Sequence, residues 1–443
     1  MRKFDHWKDI GYNPDWIKFR RRICKEDFSG ILSVLILGPK NSGKTTYLLS
    51  IIQCILRYRK DNPSVYVLDC DLGQPLIAPI ACLKLVKWDY YTTPINISNQ
   101  FLLPELMFFI GGNSPIVNPI RYLEGIKHCI EYMRQLSQEN NAILLINMPG
   151  WVTGIGLEIA SIITALCVSI STKVHVGFTK SFVDTINNED STLRQSDNMH
   201  LVTASFLSYP SINLSIFKNK TEIFYVQNIF ETKVIIEKLE DISDFINKPS
   251  IYIKSNKKSN IMDEFANYIG YTLLENNVTL FGGKTLSLPF DFTFVIPAPN
   301  TSIMDSDSSL HIPYRLTNAI VALCICRETE FLTNSKISKE VSQLIILHSS
   351  VLYPCIGLGI VHHLDYSNKY IVIQIPNWIS DYILNEVNIV QLTEMMIPLN
   401  SANYTHKPYL CPRNNIISGM VSGSKVPINR RNVKRKILKR SSH

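Results

Sequence analysis

Long unbroken apolar runs are missing from this 443-residue chain. The most apolar helix candidate, Ile155–Ile170, is interrupted by Glu158 and falls short of the roughly 20 residues a bilayer span needs. The opening residues, Met-Arg-Lys-Phe-Asp-His-Trp-Lys-Asp, lack the apolar core of a secretory signal. A soluble, intracellular protein with no membrane partner is therefore expected. Zinc-type clusters are missing too. The ten cysteines are scattered, and the only close pair, Cys324-Ile-Cys326, has no second pair or histidine at ligand spacing. Cys54, Cys70 and Cys167 lie in apolar segments, where cysteine acts as a small hydrophobe. This usage fits a reducing compartment without structural disulfides. No internal repeat and no NKxD pattern for guanine is found. Acidic residues are absent from Lys425 to Arg440, where eight lysines and arginines fall. Subtracting those eight from the formal net charge of +8 leaves a body near zero, so the basic character belongs to a tail at 421–443. Such a tail suits nucleic acid, nuclear import or an acidic partner.

What is present is a globular composition, 46% apolar and 19% charged, in a chain long enough for one large or two ordinary domains. Its most informative stretch is Gly38-Pro39-Lys40-Asn41-Ser42-Gly43-Lys44-Thr45, a GxxxxGKT pattern after the apolar run Ile31–Leu37 and before the helical stretch that starts at Thr46. Glycines let backbone N–H groups converge on phosphate oxygens, and the following helix aims its positive end at them. Lys44 would bridge the terminal phosphates and Thr45 would offer its hydroxyl to Mg²⁺.

Strand candidates at Val34–Leu37, Val65–Leu68, Met107–Ile110, Ile143–Ile146 and Val174–Phe178 alternate with helix candidates at Lys44–Tyr58, Ile120–Gln135 and Gly156–Val168. This predicts an α/β fold with a mostly parallel sheet, helices on both faces and functional loops along one rim. Residues 1–30 read as a short extension and 31–250 as the nucleotide-binding domain, with a polar lid at about 187–220 and a short helix candidate at Ile236–Phe245. Lys254–Asn260 reads as a linker. Residues 262–420 read as a smaller mixed or β-rich domain, with strand candidates at Phe292–Ile296, Gln343–Leu347, Gly357–His362 and Tyr370–Ile375.

Asp69-Cys-Asp71-Leu-Gly-Gln74-Pro follows the strand Val65–Leu68. Carboxylates there have two uses in phosphoryl transfer: one helps hold the Mg²⁺ water shell, another accepts the proton of an attacking hydroxyl. Asn147-Met148-Pro149-Gly150-Trp151 follows Ile143–Ile146, and a tryptophan on the rim could stack on a base.

These blocks, with Phe108–Pro115 and Asn147–Glu158, occur in an order and spacing that resemble the eukaryotic polynucleotide 5′-hydroxyl kinases that phosphorylate RNA ends. Cys355–Val361 resembles the C-terminal domain of the nucleolar, pre-rRNA-processing branch. The resemblance implies a P-loop kinase using ATP and Mg²⁺ in the nucleus and nucleolus. Its substrate would be RNA with a 5′-hydroxyl end, in pre-rRNA (ITS2) processing beside an endonuclease partner. Gly38 to Thr46 would hold the nucleotide. Lys44 and Thr45 match the phosphate lysine and the metal-binding hydroxyl, Asp71 the residue that deprotonates the 5′-hydroxyl, Asp69 its metal-side neighbour and Gln74 a supporting one. Gly150 and Trp151 match the substrate clasp. The chain departs from the family at Met148, where a threonine stands, and in the lid, where arginines are paired. Between Arg134 and Arg315 only Arg194 is found. Arg194 would screen the transferred charge, with Lys218 or Lys220 as a second cation. Relatives carry a substantial domain ahead of the loop, and here 37 residues precede Gly38. The alternative reading is a nucleotide-binding scaffold that stabilises or activates the nuclease.

Overall fold

In the computed structural model the described residues are 14–77, 79–89, 104–137, 140–180, 220–226, 272–274, 277–279, 283–297, 316–317, 319–326, 336–339, 344–348, 351–376 and 379–396. The chain divides into two compact units, one comprising Met1–Tyr268 with Leu352–Cys355, the other Ile269–Val351 with Ile356–His443.

The first unit runs α1 (Pro14–Lys25), β1 (Ile31–Leu37), α2 (Lys44–Tyr58), β2 (Ser64–Asp69), β3 (Cys82–Trp88), β4 (Leu106–Phe109), α3 (Pro119–Leu136), β5 (Ala142–Asn147), α4 (Ile155–Ile170), β6 (Lys173–Thr179) and β7 (Thr221–Val226). Its sheet has the spatial order β4-β3-β2-β5-β1-β6-β7. β2, β5, β1, β6 and β7 are parallel, as the strand–helix alternation predicts. β3, which the sequence reading left out, is antiparallel to both β2 and β4. Its two lysines hide it from an apolar-run search, and one of them is buried (below).

β1 and β5 are buried along their whole length, as strands covered on both faces must be, and so read as continuous apolar runs. The side chains still alternate. Leu32, Val34 and Ile36 face a core built with α1 and α2, whereas Ile31, Leu35 and Leu37 face one built with α3 and α4. Helix α2 supplies Leu48, Ile51, Ile52 and Ile55 at three- and four-residue spacing. α1 lies within residues expected to be an extension before the domain; Trp16, Phe19 and Ile23 are buried in the α2-side core instead. α3 starts on Pro119 with the Asn118 side chain accepting a hydrogen bond from the Arg121 N–H, a cap that stops the preceding loop. The parallel strands deliver the loops after β1, β2, β5 and β6 to one rim.

The second unit contains an eight-stranded mixed sheet and a two-stranded antiparallel one (Thr272–Leu274 with Asn277–Thr279), so the β-rich expectation holds. In spatial order the strands of the larger sheet are Gly283–Pro289, Tyr370–Pro376, Cys355–Asp365, Ala319–Cys324, Ile389–Met396, Phe294–Ile296, Ile345–His348 and Lys336–Lys339. Phe294–Ile296 is parallel to both its neighbours, and a 3₁₀ turn occupies Phe290–Phe292, where the strand was expected to begin. Leu323, Val361, Ile373 and Val390 lie at the centre of its core. The nine cysteines among the described residues are free thiols. No helix among those residues is long and apolar enough to cross a membrane.

Candidate active site

The loop from Gly38 to Gly43 turns directly from β1 into α2. Two residues take left-handed backbone: Asn41 at φ 66° and Gly43 at φ 87°. Gly43 caps α2 without a side-chain hydrogen bond, and the first turn carries no acidic residue. The first N–H groups of α2 therefore remain available to an anion. Gly38 is closed in by Thr179 at the end of β6 and by Ser42, whose Oγ would lie 2.6 Å from a Cβ built there. Ser42 Oγ is buried and makes no hydrogen bond among the described residues. Lys44 is buried as well, with Nζ donating 2.8 Å to the Pro39 carbonyl. Burial outweighs the nearby Asp71 charge and lowers its amine to about 8. An orphaned hydroxyl, a desolvated amine and open helix N–H groups fit the phosphates of a nucleotide. Pro39 and Thr46 are half-buried, and Lys40 and Asn41 exposed.

Three further loops meet this one. After β5, Gly150 packs so closely on the phosphate loop that a Cβ would lie 2.7 Å from the Lys40 backbone nitrogen. Trp151 is half-buried against the α3–α4 core, its ring over Gly156 in the first turn of α4. After β2, Asp71 Oδ1 accepts the N–H groups of Gly73 (3.2 Å) and Gln74 (2.9 Å), and Oδ2 makes no hydrogen bond among the described residues. Gln74 is exposed. A Cβ on Gly73 would lie 2.7 Å from the Asn113 carbonyl, so the loop after β4 packs against this turn.

Asp69 differs from the metal-side neighbour that the resemblance implies. It is wholly buried. Oδ1 accepts from Asn147 Nδ2 at 2.8 Å, and Oδ2 accepts from the Ile77 N–H at 2.9 Å and lies 3.8 Å from Lys84 Nζ. Burial raises its carboxyl above the usual range against the pull of Lys84, and lowers the Lys84 amine. Lys84 Nζ in turn donates to the carbonyls of Ile77 and Pro79. The residue that touches Thr45 is Asn147, whose Oδ1 accepts the Thr45 hydroxyl at 3.2 Å. Thr45 therefore fits a cation as a hydroxyl ligand, with Asn147 behind it and Asp69 one strand further back.

Lys220 does not fill a lid position. It precedes β7, whose start pairs beside Val174 near the beginning of β6, and its Nζ donates to the Val168 carbonyl near the end of α4. That is the end of the sheet opposite the phosphate loop. Arg194, Lys218 and the rest of 187–219 lie outside the described residues, as do Ile236–Phe245, Lys254–Asn260 and the tail at 421–443. Asn147, Lys84 and Thr179 were not singled out by sequence. Asn147 is legible as the last residue of a rim strand, but nothing local marks Lys84 as buried.

Residues 38–204 match the family model described as the mRNA cleavage and polyadenylation factor CLP1 P-loop. The polynucleotide 5′-hydroxyl-kinase GRC3 of Candida glabrata is 31% identical over 134 residues, which cover 28% of this chain and 21% of that protein. GRC3 of Gibberella zeae is 33% identical over 162 residues, 33% of this chain and 22% of the relative. The polynucleotide 5′-hydroxyl-kinase NOL9 of Arabidopsis thaliana is 35% identical over 137 residues, 28% of this chain and 35% of the relative. Clp1p in the structure of the wild-type Clp1p–Pcf11p complex is 11% identical, with coverage of 86% of this chain and 78% of that one at a TM-score of 0.48. The phosphate loop, the turn after β2 and the turn after β5 all fall within the matched span; over that span the chain is similar to the CLP1 P-loop and to the polynucleotide 5′-hydroxyl kinases GRC3 and NOL9, and it spans about a fifth to a third of the length of these relatives.

Proposed function

We propose that the chain is an ATP-dependent polynucleotide 5′-hydroxyl kinase that phosphorylates RNA 5′ ends. One observation carries the reading: Gly150 of the turn after β5 is packed on the Lys40 backbone of the phosphate loop, on the rim where the turn after β2 holds Asp71 by Oδ1 and leaves Oδ2 without a hydrogen bond among the described residues. The backbone N–H groups of the Gly38–Thr45 loop, Ser42 Oγ and Lys44 Nζ bind phosphate oxygens. ATP supplies the phosphoryl group and Mg²⁺ screens its charge, held on the protein side by Thr45. Asp71 takes the proton of the RNA 5′-hydroxyl on Oδ2, while Gln74, Gly150 and Trp151 orient the RNA end. Arg194, in a lid that ends before Lys220, neutralises charge on the transferred group. Residues 31–250 form the kinase domain and 262–420 the C-terminal domain. The names of the relatives are in keeping with a nucleolar role; the resemblance to the nucleolar branch adds pre-rRNA as the substrate and an endonuclease as the partner, with the basic tail at 421–443 docking that partner or touching RNA.

The second reading, a nucleotide-binding scaffold with little turnover, is favoured by Met148. A methionine has no hydroxyl to offer the rim, and its side chain is buried in the α3–α4 core. One assay separates the two: transfer from γ-labelled ATP to 5′-hydroxyl RNA. Lys44→Ala and Asp71→Asn are each expected to lower transfer by about 10²- to 10⁴-fold. Transfer that survives both substitutions would overturn the mechanism. ATP binding without transfer by the unaltered chain selects the scaffold.

A further inference from the structure

A buried polar row crosses three strands beneath the phosphate loop. The register sets Asp69 of β2 beside Lys84 of β3 on one side and beside Asn147 of β5 on the other. All three side chains are at most 1% exposed. The polar contacts converge on Asp69 from both sides. Lys84 Nζ lies 3.8 Å from Asp69 Oδ2, Asn147 Nδ2 donates to Asp69 Oδ1, and Thr45 Oγ1 donates to Asn147 Oδ1.

The Asn147 amide has one consistent orientation in this setting. A carboxylate only accepts, so the NH₂ must face Asp69, which leaves the carbonyl oxygen for Thr45. That oxygen can only accept, so the Thr45 hydroxyl must spend its proton on it, and its lone pairs are left for a cation. The strand beside β1 thus ends in a neutral amide, and the nearest carboxylate of the row is one strand further away with both oxygens engaged.

We infer that Asn147 is a positioning residue for the cation that accompanies the nucleotide: held by Asp69, it fixes the rotamer of the Thr45 hydroxyl. The inference rests on the nucleotide-binding part of the function proposed above and not on turnover. Asp69 and Lys84 act one step further back. Their pair also grips the backbone of Ile77, whose N–H goes to Asp69 and whose carbonyl goes to Lys84, so the segment 70–77 that carries Asp71 is closed by the same row.

The test is calorimetric titration of ATP into the full chain, with Mg²⁺ and with EDTA, for the wild type, Asn147→Ala, Thr45→Val and the double variant. Asn147→Ala is expected to reduce the strengthening of ATP binding by Mg²⁺ by about 10- to 100-fold, the range found for groups that orient metal ligands. ATP affinity in EDTA should stay within about twofold of the wild type, since the phosphate contacts of Lys44 are untouched. Adding Asn147→Ala to Thr45→Val should change nothing further, because a residue that acts through Thr45 loses its effect with that hydroxyl. A purely structural Asn147 would instead weaken binding equally with and without Mg²⁺, and equally in both backgrounds. Either result overturns the inference, as does wild-type ATP binding indifferent to Mg²⁺. If Asn147→Ala fails to fold, Asn147→Ser and Asn147→Gln, which keep a hydrogen-bonding group at shifted reach, are titrated instead against the same outcomes. Coupled Mg²⁺–ATP binding without phosphoryl transfer would refute the kinase reading and leave this inference standing; no ATP binding at all would remove both.

Discussion

Gly150 has no room for a side chain, because the place of its Cβ lies 2.7 Å from the Lys40 backbone nitrogen and 2.9 Å from the Lys40 Cα. Backbone cannot rotate aside as a side chain does. Gly150→Ala is therefore expected to push the phosphate loop off its position and cost about 1–3 kcal/mol, divided between stability and ATP affinity. Denaturant titration with and without ATP measures both parts; an alanine variant with wild-type values would show that the two loops do not touch. The placement of Lys44 and Asp71 just beyond the ends of β1 and β2 was legible, because each follows an apolar run that reads as a strand. The burial of Asp69 was not. Two carboxylates spaced by one residue look equivalent in sequence, yet one is exposed enough to meet a hydroxyl and the other is buried and fully bonded. Met148 likewise reads as the loss of a hydroxyl, and its burial shows what the side chain does instead: it fills core volume.

At the scale of elements, α1 is held to the β6–β7 edge by an ion cluster. His175 of β6 lies 3.5 Å from Glu26, just after α1, and 3.4 Å from Glu222 of β7. Arg22 Nε reaches both carboxylates, at 3.1 and 3.0 Å, and Lys173 pairs with Glu26. Three possible metal ligands meet here, but the guanidinium already bridges both carboxylates, so the cluster is neutralised without an ion. Burial lowers the His175 imidazole despite its two acidic neighbours. Burial also pushes Glu26 up, but Lys173, His175 and Arg22 outweigh it and hold the carboxyl below its usual range. The signs agree. A histidine depressed in the fold takes its proton more readily when unfolded, so its contribution is lost as pH falls below about 6.5, and that of Glu26 is lost at lower pH still. Stability of the first unit should fall by up to about 1.4 kcal/mol per pH unit between pH 6.5 and the folded-state value of the histidine. His175→Gln should flatten that slope in denaturant titrations; an unchanged slope would place the titrating group elsewhere. The existence of β6 was legible from its apolar run, whereas α1 was missed: its apolar residues are few and interspersed with arginines and lysines, and its stability comes from packing on α2 and β7.

For the molecule as a whole, the order of the chain does not map simply onto the order of its units. Leu352–Cys355 belongs to the first unit although it lies beyond residue 268. Leu352 is buried in the α3–α4 core, and Pro354 bridges Phe108. Leu352→Ala is thus expected to destabilise the nucleotide-binding unit by about 2–4 kcal/mol, read as a lower unfolding midpoint of its ATP-protected transition. A loss confined to the other transition would contradict the assignment. No local pattern could have revealed this return, since an apolar residue reads the same in either core. What the sequence determined by itself was local: the strand, turn and helix around Gly38–Thr45, the rim turns with Asp71 and Gly150, and the strand–helix alternation that implies parallel pairing. Periodicity and glycine spacing act over a few residues, and those few are adjacent in the chain. The tertiary structure alone decided which polar residue stands behind Thr45. Asn147 is 102 residues from Thr45 and 78 from Asp69, and they meet only because strand register sets them side by side in a space where burial compels every polar group to find a partner.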